Sequence, residues 1–142
     1  MYGPGDDAAK FLPGALRAAV SRTPFPMTPG AQVREWLHVE DGVAALRAAL
    51  AAPLPGVELV NVGTGEGFAL RDVVGTVFEQ AGADPRLVRA GERTYRQGEV
   101  HRIVMDCARA RGLLAGWAPK VALRSGIAAL LERERAEGRE RT

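Results

Sequence analysis

The sequence is poor in cysteine, lysine and aromatic residues, and each shortage closes a possibility. A single cysteine, Cys107, leaves no partner for an intramolecular disulfide and fits a reducing compartment. Lysine occurs only as Lys10 and Lys120, so the basic charge is almost entirely arginine. Aromatics make up 6% of the residues and the net charge is only +2. The densest charged run, Glu132-Arg133-Glu134-Arg135, alternates in sign. A nucleic-acid surface wants a patch of one sign interleaved with stacking aromatics, so nucleic acid is not an expected partner. A phosphate-bearing small molecule needs only two or three well-placed arginines. No apolar run nears the roughly 20 residues that cross a bilayer, and no membrane association is expected. The opening Met1-Tyr2-Gly3-Pro4-Gly5-Asp6-Asp7 has neither the basic nor the apolar segment of a secretory signal, and the cytoplasm is the expected location. His38, His101 and Cys107 do not have metal-site spacing.

What is present suits one globular domain: 142 residues, 46% hydrophobic and 25% charged. Turn chemistry in residues 2–10 gives way to a helix from about Leu12, with Leu12, Leu16, Ala19 and Val20 on one face. Pro24, Pro26 and Pro29 keep 21–30 extended. Residues 33–39 alternate as a strand, with Val33, Glu35, Leu37 and Val39 on one side and Arg34, Trp36 and His38 on the other. Asp41 is the expected N-cap of a helix over 42–50, with Val43, Leu46 and Leu50 as its buried stripe, ended by Pro53-Leu54-Pro55-Gly56. A strand is expected over 57–62, followed by Gly63-Thr64-Gly65-Glu66-Gly67. A helix over 70–81 then buries Leu70, Val73, Val74, Val77 and Phe78 and stops at Gly82. Leu87-Val88 is a short strand and 93–102 a polar loop. Asp106 caps a short helix to Leu114, and a last helix spans 123–133. The order predicts an α/β or α+β domain, helices around a thin sheet, over 1–133, with a frayed polar tail over 134–142.

Six segments, in order, carry a resemblance. They are Tyr2-Gly3-Pro4-Gly5-Asp6, the helix opening at Leu12-Pro13, Arg34-Glu35-Trp36-Leu37-His38-Val39-Glu40-Asp41, Asn61-Val62-Gly63-Thr64-Gly65, Arg96-Gln97-Gly98-Glu99, and the stretch from Asp106 to Gly116-Trp117-Ala118-Pro119. Together they resemble the carboxyl-terminal, substrate-binding half of extended short-chain dehydrogenases, the NAD-dependent epimerases and dehydratases of nucleotide sugars. Trp36 resembles the dehydratases; the Arg96 loop and the closing segment resemble UDP-glucose 4-epimerases. The resemblance implies that Arg34 contacts the diphosphate of a UDP- or dTDP-linked sugar, that Arg96 is a second phosphate contact, and that Glu99 accepts from ribose hydroxyls. Without it, Arg34 is an exposed strand-end arginine and Arg96 part of a solvated loop.

The chemistry of that family is not matched. Its catalytic Tyr-x-x-x-Lys has no counterpart, because Asp6 and Glu99 stand four residues after Tyr2 and Tyr95. Its Gly-x-x-Gly-x-x-Gly cofactor turn is not found, and Gly63-x-Gly65-x-Gly67 has the wrong spacing. No cofactor is therefore expected in this chain alone, although the full-length family uses NAD, and no catalytic residue is assigned. His38 is read as structural, Asp41 and Asp106 as caps, Trp36 and Trp117 as core anchors, and Cys107 as inert. The expected function is nucleotide-sugar binding without turnover. The alternative is a non-enzymatic module that docks on a partner supplying the Rossmann half, or self-associates through an exposed apolar patch.

Overall fold

A computed structural model describes residues 1–54, 56–114 and 116–140. Pro55 of the expected 53–56 turn, and Arg141 and Thr142 of the expected tail, lie outside the described residues.

Three helices enclose the main core: α1 (Phe11–Val20), α3 (Leu70–Ala81) and α5 (Leu123–Glu140). α3 buries Val73, Val74, Val77 and Phe78, as its apolar spacing predicts, against Leu12 and Leu16 of α1 and Ile127 and Leu131 of α5. Gly82 ends α3 in the left-handed conformation, φ 64°. α5 continues to Glu140 instead of stopping near Arg133, helped by ion pairing of Arg133 Nε with Glu137 Oε1 at 2.7 Å, one helical turn on.

The sheets are thin and separate. β1 (Phe25–Met27) pairs in parallel with β4 (Val88–Ala90). β2 (Val33–Glu35) is the middle of three strands, antiparallel to β3 (Gly67–Ala69) and parallel to β5 (Arg102–Ile103). The strand expected over 33–39 is thus ladder-paired only to Glu35. Beyond it, Tyr2 takes over: its N–H donates to Leu37 O at 2.9 Å, and its carbonyl accepts from Val39 N at 2.8 Å. The expected alternation survives: Trp36 packs against the main core while Leu37 enters a second core.

That second core joins Leu37, Ala45 of α2 (Val39–Ala51), Ala110 of α4 (Ala108–Leu113), Leu114 and Trp117, with Ala48, Ala49, Val60 and Val62 at its margin. Here three expectations are overturned. First, α2 starts at Val39 and its N-cap is His38, whose Nδ1 accepts from Glu40 N at 3.4 Å, so Asp41 is not the cap. Asp41 is buried instead, taking Lys120 N and Val121 N on its two carboxylate oxygens at 2.9 and 3.0 Å, while its carbonyl accepts from Trp117 Nε1 at 3.0 Å. Second, Val43, Leu46 and Leu50 are exposed (50, 66 and 89%), because α2 turns its alanine side to the second core. Third, 57–62 forms no strand, since no neighbouring strand pairs with it. Asp106 is displaced by one position: Cys107 is the N-cap residue of α4, but Asp106 Oδ1 still accepts from Ala108 N at 2.9 Å.

Asp41→Ala should cost about 1–3 kcal/mol in urea unfolding, because a buried carboxylate that accepts two part-buried backbone N–H groups is lost; an unchanged midpoint would refute the pin. Tyr2 gives a pH test. Burial first, and the charge of Asp41 second, push its phenol up to about 12 from 10.0. The stability gained by keeping it neutral is complete below the unfolded value and is lost as pH rises through about 12. In Tyr95→Phe, where Tyr2 is the one remaining tyrosine, tyrosinate absorbance should titrate well above 10.0; a midpoint at that ordinary value contradicts the buried setting.

Candidate functional site

Arg34 sits in the middle strand of its sheet, where β3 and β5 fix the backbone from both sides. Its Nη1 donates to Val33 O at 2.9 Å and its Nη2 to Glu99 Oε1 at 2.5 Å. Both side chains are about a quarter exposed or less (25 and 19%). A guanidinium has five N–H donors in a rigid fork, so these two bonds orient it and leave others for a ligand.

Glu99 reaches Arg34 from the 93–99 loop, which the fold holds at several points. Gly91 N and Arg93 N both donate to Met27 O, at 3.0 and 3.1 Å. Ala31 N donates to Tyr95 Oη at 3.3 Å, and the Tyr95 ring meets His101 edge-on at 5.1 Å. Val33 N donates to His101 O at 2.7 Å, tying the end of the loop to the strand that carries Arg34. A tight turn closes on Glu99 N donating to Arg96 O at 3.1 Å, with Gly98 at φ 74°. A side chain disfavours that φ, which is why glycine stands there. Arg96, at the head of the turn, is exposed, and its guanidinium has no hydrogen-bond or ion-pair partner among the described residues. The structure therefore joins Arg34 to Glu99 directly and places Arg96 on the same four-residue turn as Glu99.

Glu35, next to Arg34, points to the other side of the strand and has a different task. Its carboxylate accepts from Gly65 N at 2.8 Å, Thr64 Oγ1 at 3.2 Å and Met105 N at 2.6 Å. A Cβ on Gly63 would run into that carboxylate, which explains the glycine. The Gly63-x-Gly65-x-Gly67 turn thus spends its N–H donor on an internal anion, and the residues here do not fit a dinucleotide phosphate. Sequence reasoning missed Glu35 and Tyr95 as the groups that shape the site. The signal for Glu35 was a carboxylate in register with Val33 and Leu37 on the inward side; Tyr95 gave none.

The remaining candidates are structural. His38 caps α2 and meets the Tyr2 ring edge-on at 5.2 Å. Cys107 is buried, and its thiol is pushed up, by desolvation first and then by the charge of Glu35. Its place before α4 therefore does not activate it. Clefts of about 330 Å³ beside Tyr2 and about 520 Å³ beside Trp36 are lined by neither Arg34, Arg96 nor Glu99.

The element order and packing are those of the carboxyl-terminal portion of an extended short-chain dehydrogenase. The chain belongs to the GDP-mannose 4,6 dehydratase family, whose model matches residues 7–130. A dTDP-glucose 4,6-dehydratase of Streptomyces griseus is 34% identical over 129 residues, 90% of this chain and 38% of that protein. The crystal structure of DesIV, a dTDP-glucose 4,6-dehydratase of Streptomyces venezuelae with NAD and TYD bound, matches with a TM-score of 0.84 at 28% identity, over 98% of this chain and 42% of that one. UDP-glucose 4-epimerase of Thermotoga maritima with UDP-glucose matches with a TM-score of 0.84 at 26% identity, over 96% and 43%. The chain spans about two-fifths of the length of these relatives. No helix among the described residues is long and apolar enough to cross a membrane.

The two carboxylates separate by substitution. Glu35→Ala should lower stability by about 1–3 kcal/mol, since three hydrogen bonds to one charged acceptor are lost together, whereas Glu99→Ala, which loses a single partly buried ion pair, should cost less, about 1 kcal/mol. Urea melts that reverse this order would overturn the division between a carboxylate that holds the glycine turn and one that only orients Arg34.

Proposed function

We propose that this chain is the substrate-gripping portion of a nucleotide-sugar dehydratase or epimerase. Residues 1–133 form the binding portion, and the polar 134–142 lies beyond it. Arg34 and Arg96 hold the diphosphate of a UDP- or dTDP-linked sugar, and Glu99 accepts from ribose hydroxyls. The observation that carries this reading is the partly buried Arg34 fork, aimed by Glu99 from the same turn that presents Arg96, unpaired among the described residues. Two arginines match a diphosphate in charge, and the fork matches it in shape. The chain's contribution is to bind and orient. Its glycine-rich turn is closed on Glu35, so the NAD of the full-length family belongs to another portion of the enzyme, and the cytoplasm is where that enzyme works.

A second reading is supported by the exposure of Val43, Leu46 and Leu50: a non-enzymatic docking module that needs a Rossmann half, or a second copy, to cover them.

Calorimetric titration with UDP-glucose and dTDP-glucose separates the two. Micromolar binding of either, weakened about 10- to 100-fold by Arg34→Ala through the loss of charged hydrogen bonds, is the expected result. No binding of either sugar nucleotide would leave the docking module as the better account. The chain mixed with NAD and either sugar nucleotide should give no product; turnover would sink the assignment.

A further inference from the structure

A carboxylate set against a guanidinium that is to hold phosphates repels the ligand it helps to seat. Glu99 Oε1 lies 2.5 Å from Arg34 Nη2, and both side chains are about a quarter exposed or less, so water screens the charge only in part. Glu99 Oε2 takes no hydrogen bond among the described residues. The carboxylate is therefore held at the guanidinium by one oxygen, and the other is left for whatever Arg34 binds. No second cation relieves it. Arg96 makes no ion pair with it, and Ile103, not Arg102, stands in register with Arg34. Glu92 and Arg93, farther back on the loop, are exposed neighbours of opposite sign. Two arginines and one carboxylate leave the grip with a single net positive charge.

Orientation alone does not call for that charge. A glutamine carbonyl would also accept from Arg34 Nη2, and Arg34 Nη1 is already fixed on Val33 O. Ribose hydroxyls likewise donate to a carbonyl. What the carboxylate adds, beyond stronger bonds, is repulsion of surplus negative charge. Ligands that carry a diphosphate differ in that surplus. In a sugar nucleotide the far phosphate is esterified, and each phosphate carries one charge. In a free nucleoside diphosphate the far phosphate is terminal and carries about −1.5 to −2 near pH 7.

We infer that Glu99 is a charge filter: it sets the Arg34–Arg96 grip to take a diphosphate esterified at both ends and to disfavour free nucleoside diphosphates and inorganic pyrophosphate. This rests on the reading of Arg34 and Arg96 as a diphosphate grip, and adds to it which diphosphates the grip keeps. One surplus unit charge several ångströms from a carboxylate, at the effective dielectric of a protein surface, shifts affinity by about tenfold. The site then distinguishes an intact sugar nucleotide from the free nucleotide by the state of the far phosphate, with no contact to the sugar required.

The test is calorimetric titration of the full chain with UDP-glucose and UDP, and with dTDP-glucose and dTDP, at about pH 8, where the terminal phosphate is fully ionised. Wild type is compared with Glu99→Gln and Glu132→Gln, each checked for folding by circular dichroism. Glu99→Gln keeps an acceptor for Arg34 and removes the charge; Glu132→Gln removes the same charge from an exposed position on α5. Wild type should favour the sugar nucleotide over the free diphosphate. Glu99→Gln should move the ratio of the two dissociation constants toward the free diphosphate by about tenfold, and Glu132→Gln should leave it in place. A residue that merely aims Arg34 would weaken both ligands alike, so an unmoved ratio in Glu99→Gln overturns the filter, as does an equal shift in Glu132→Gln. Inorganic pyrophosphate, followed by phosphorus NMR, reads the charge without ribose or sugar, and Glu99→Gln should bind it about tenfold more tightly than wild type. Sugar nucleotides that bind with an unmoved ratio leave the proposed function and remove the filter. Tighter pyrophosphate binding by Glu99→Gln, with no binding of any sugar nucleotide, does the reverse. No binding of any of these ligands overturns both.

Discussion

Asp41 accepts two backbone N–H groups with its carboxylate and the Trp117 indole with its carbonyl, and it does so while buried. Those bonds clamp the first turn of α2 to the chain that leads from α4 into α5. α2 follows directly from the strand that carries Arg34, and α5 closes the main core. One residue thus couples the position of the site strand to the packing of both cores. A buried carboxylate is tolerated only where its lone pairs are filled, and here backbone donors fill them. The same charge also raises the Tyr2 phenol, whose main chain extends the site strand through Leu37 and Val39.

Three carboxylates near the site divide the work by what they accept. Asp41 takes Lys120 and Val121, Glu35 takes the glycine turn and Met105, and both serve the frame. Glu99 alone turns to a guanidinium, and it sits on a turn whose opening arginine has no side-chain partner among the described residues. Position within the strand sorts the neighbours Arg34 and Glu35 to opposite faces, so one strand serves the frame on one side and carries the proposed ligand contact on the other.

Much of this was legible in the sequence because it is local. The 3.6-residue spacing of Val73, Val77 and Phe78 and the stop at Gly82 placed α3 without further help. The alternation of 33–39 sent Trp36 and Leu37 to different cores. The ordered motifs singled out Arg34, Arg96 and Glu99 as separate ligand contacts, but not the direct bond between Arg34 and Glu99. What failed needed distant partners. Asp41 reads as a cap because it precedes a helix, but His38 already fills that role and Lys120 and Val121 compete for the carboxylate. The α2 stripe and 57–62 carry the patterns of a buried face and a strand, but among the described residues no element covers the first or pairs with the second. The length of α5 was missed because alternating charges read as a solvated tail, although at four-residue spacing they also support a helix.

The central claim is that Arg34 holds a nucleotide diphosphate. Phosphorus NMR of UDP-glucose, or of dTDP-glucose, mixed with the chain tests it at the atoms concerned. The account predicts that wild type shifts and broadens both diphosphate resonances, and that Arg34→Ala leaves them as in free nucleotide while circular dichroism is unchanged. Unperturbed resonances with wild type, or equal perturbation by Arg34→Ala, would contradict it.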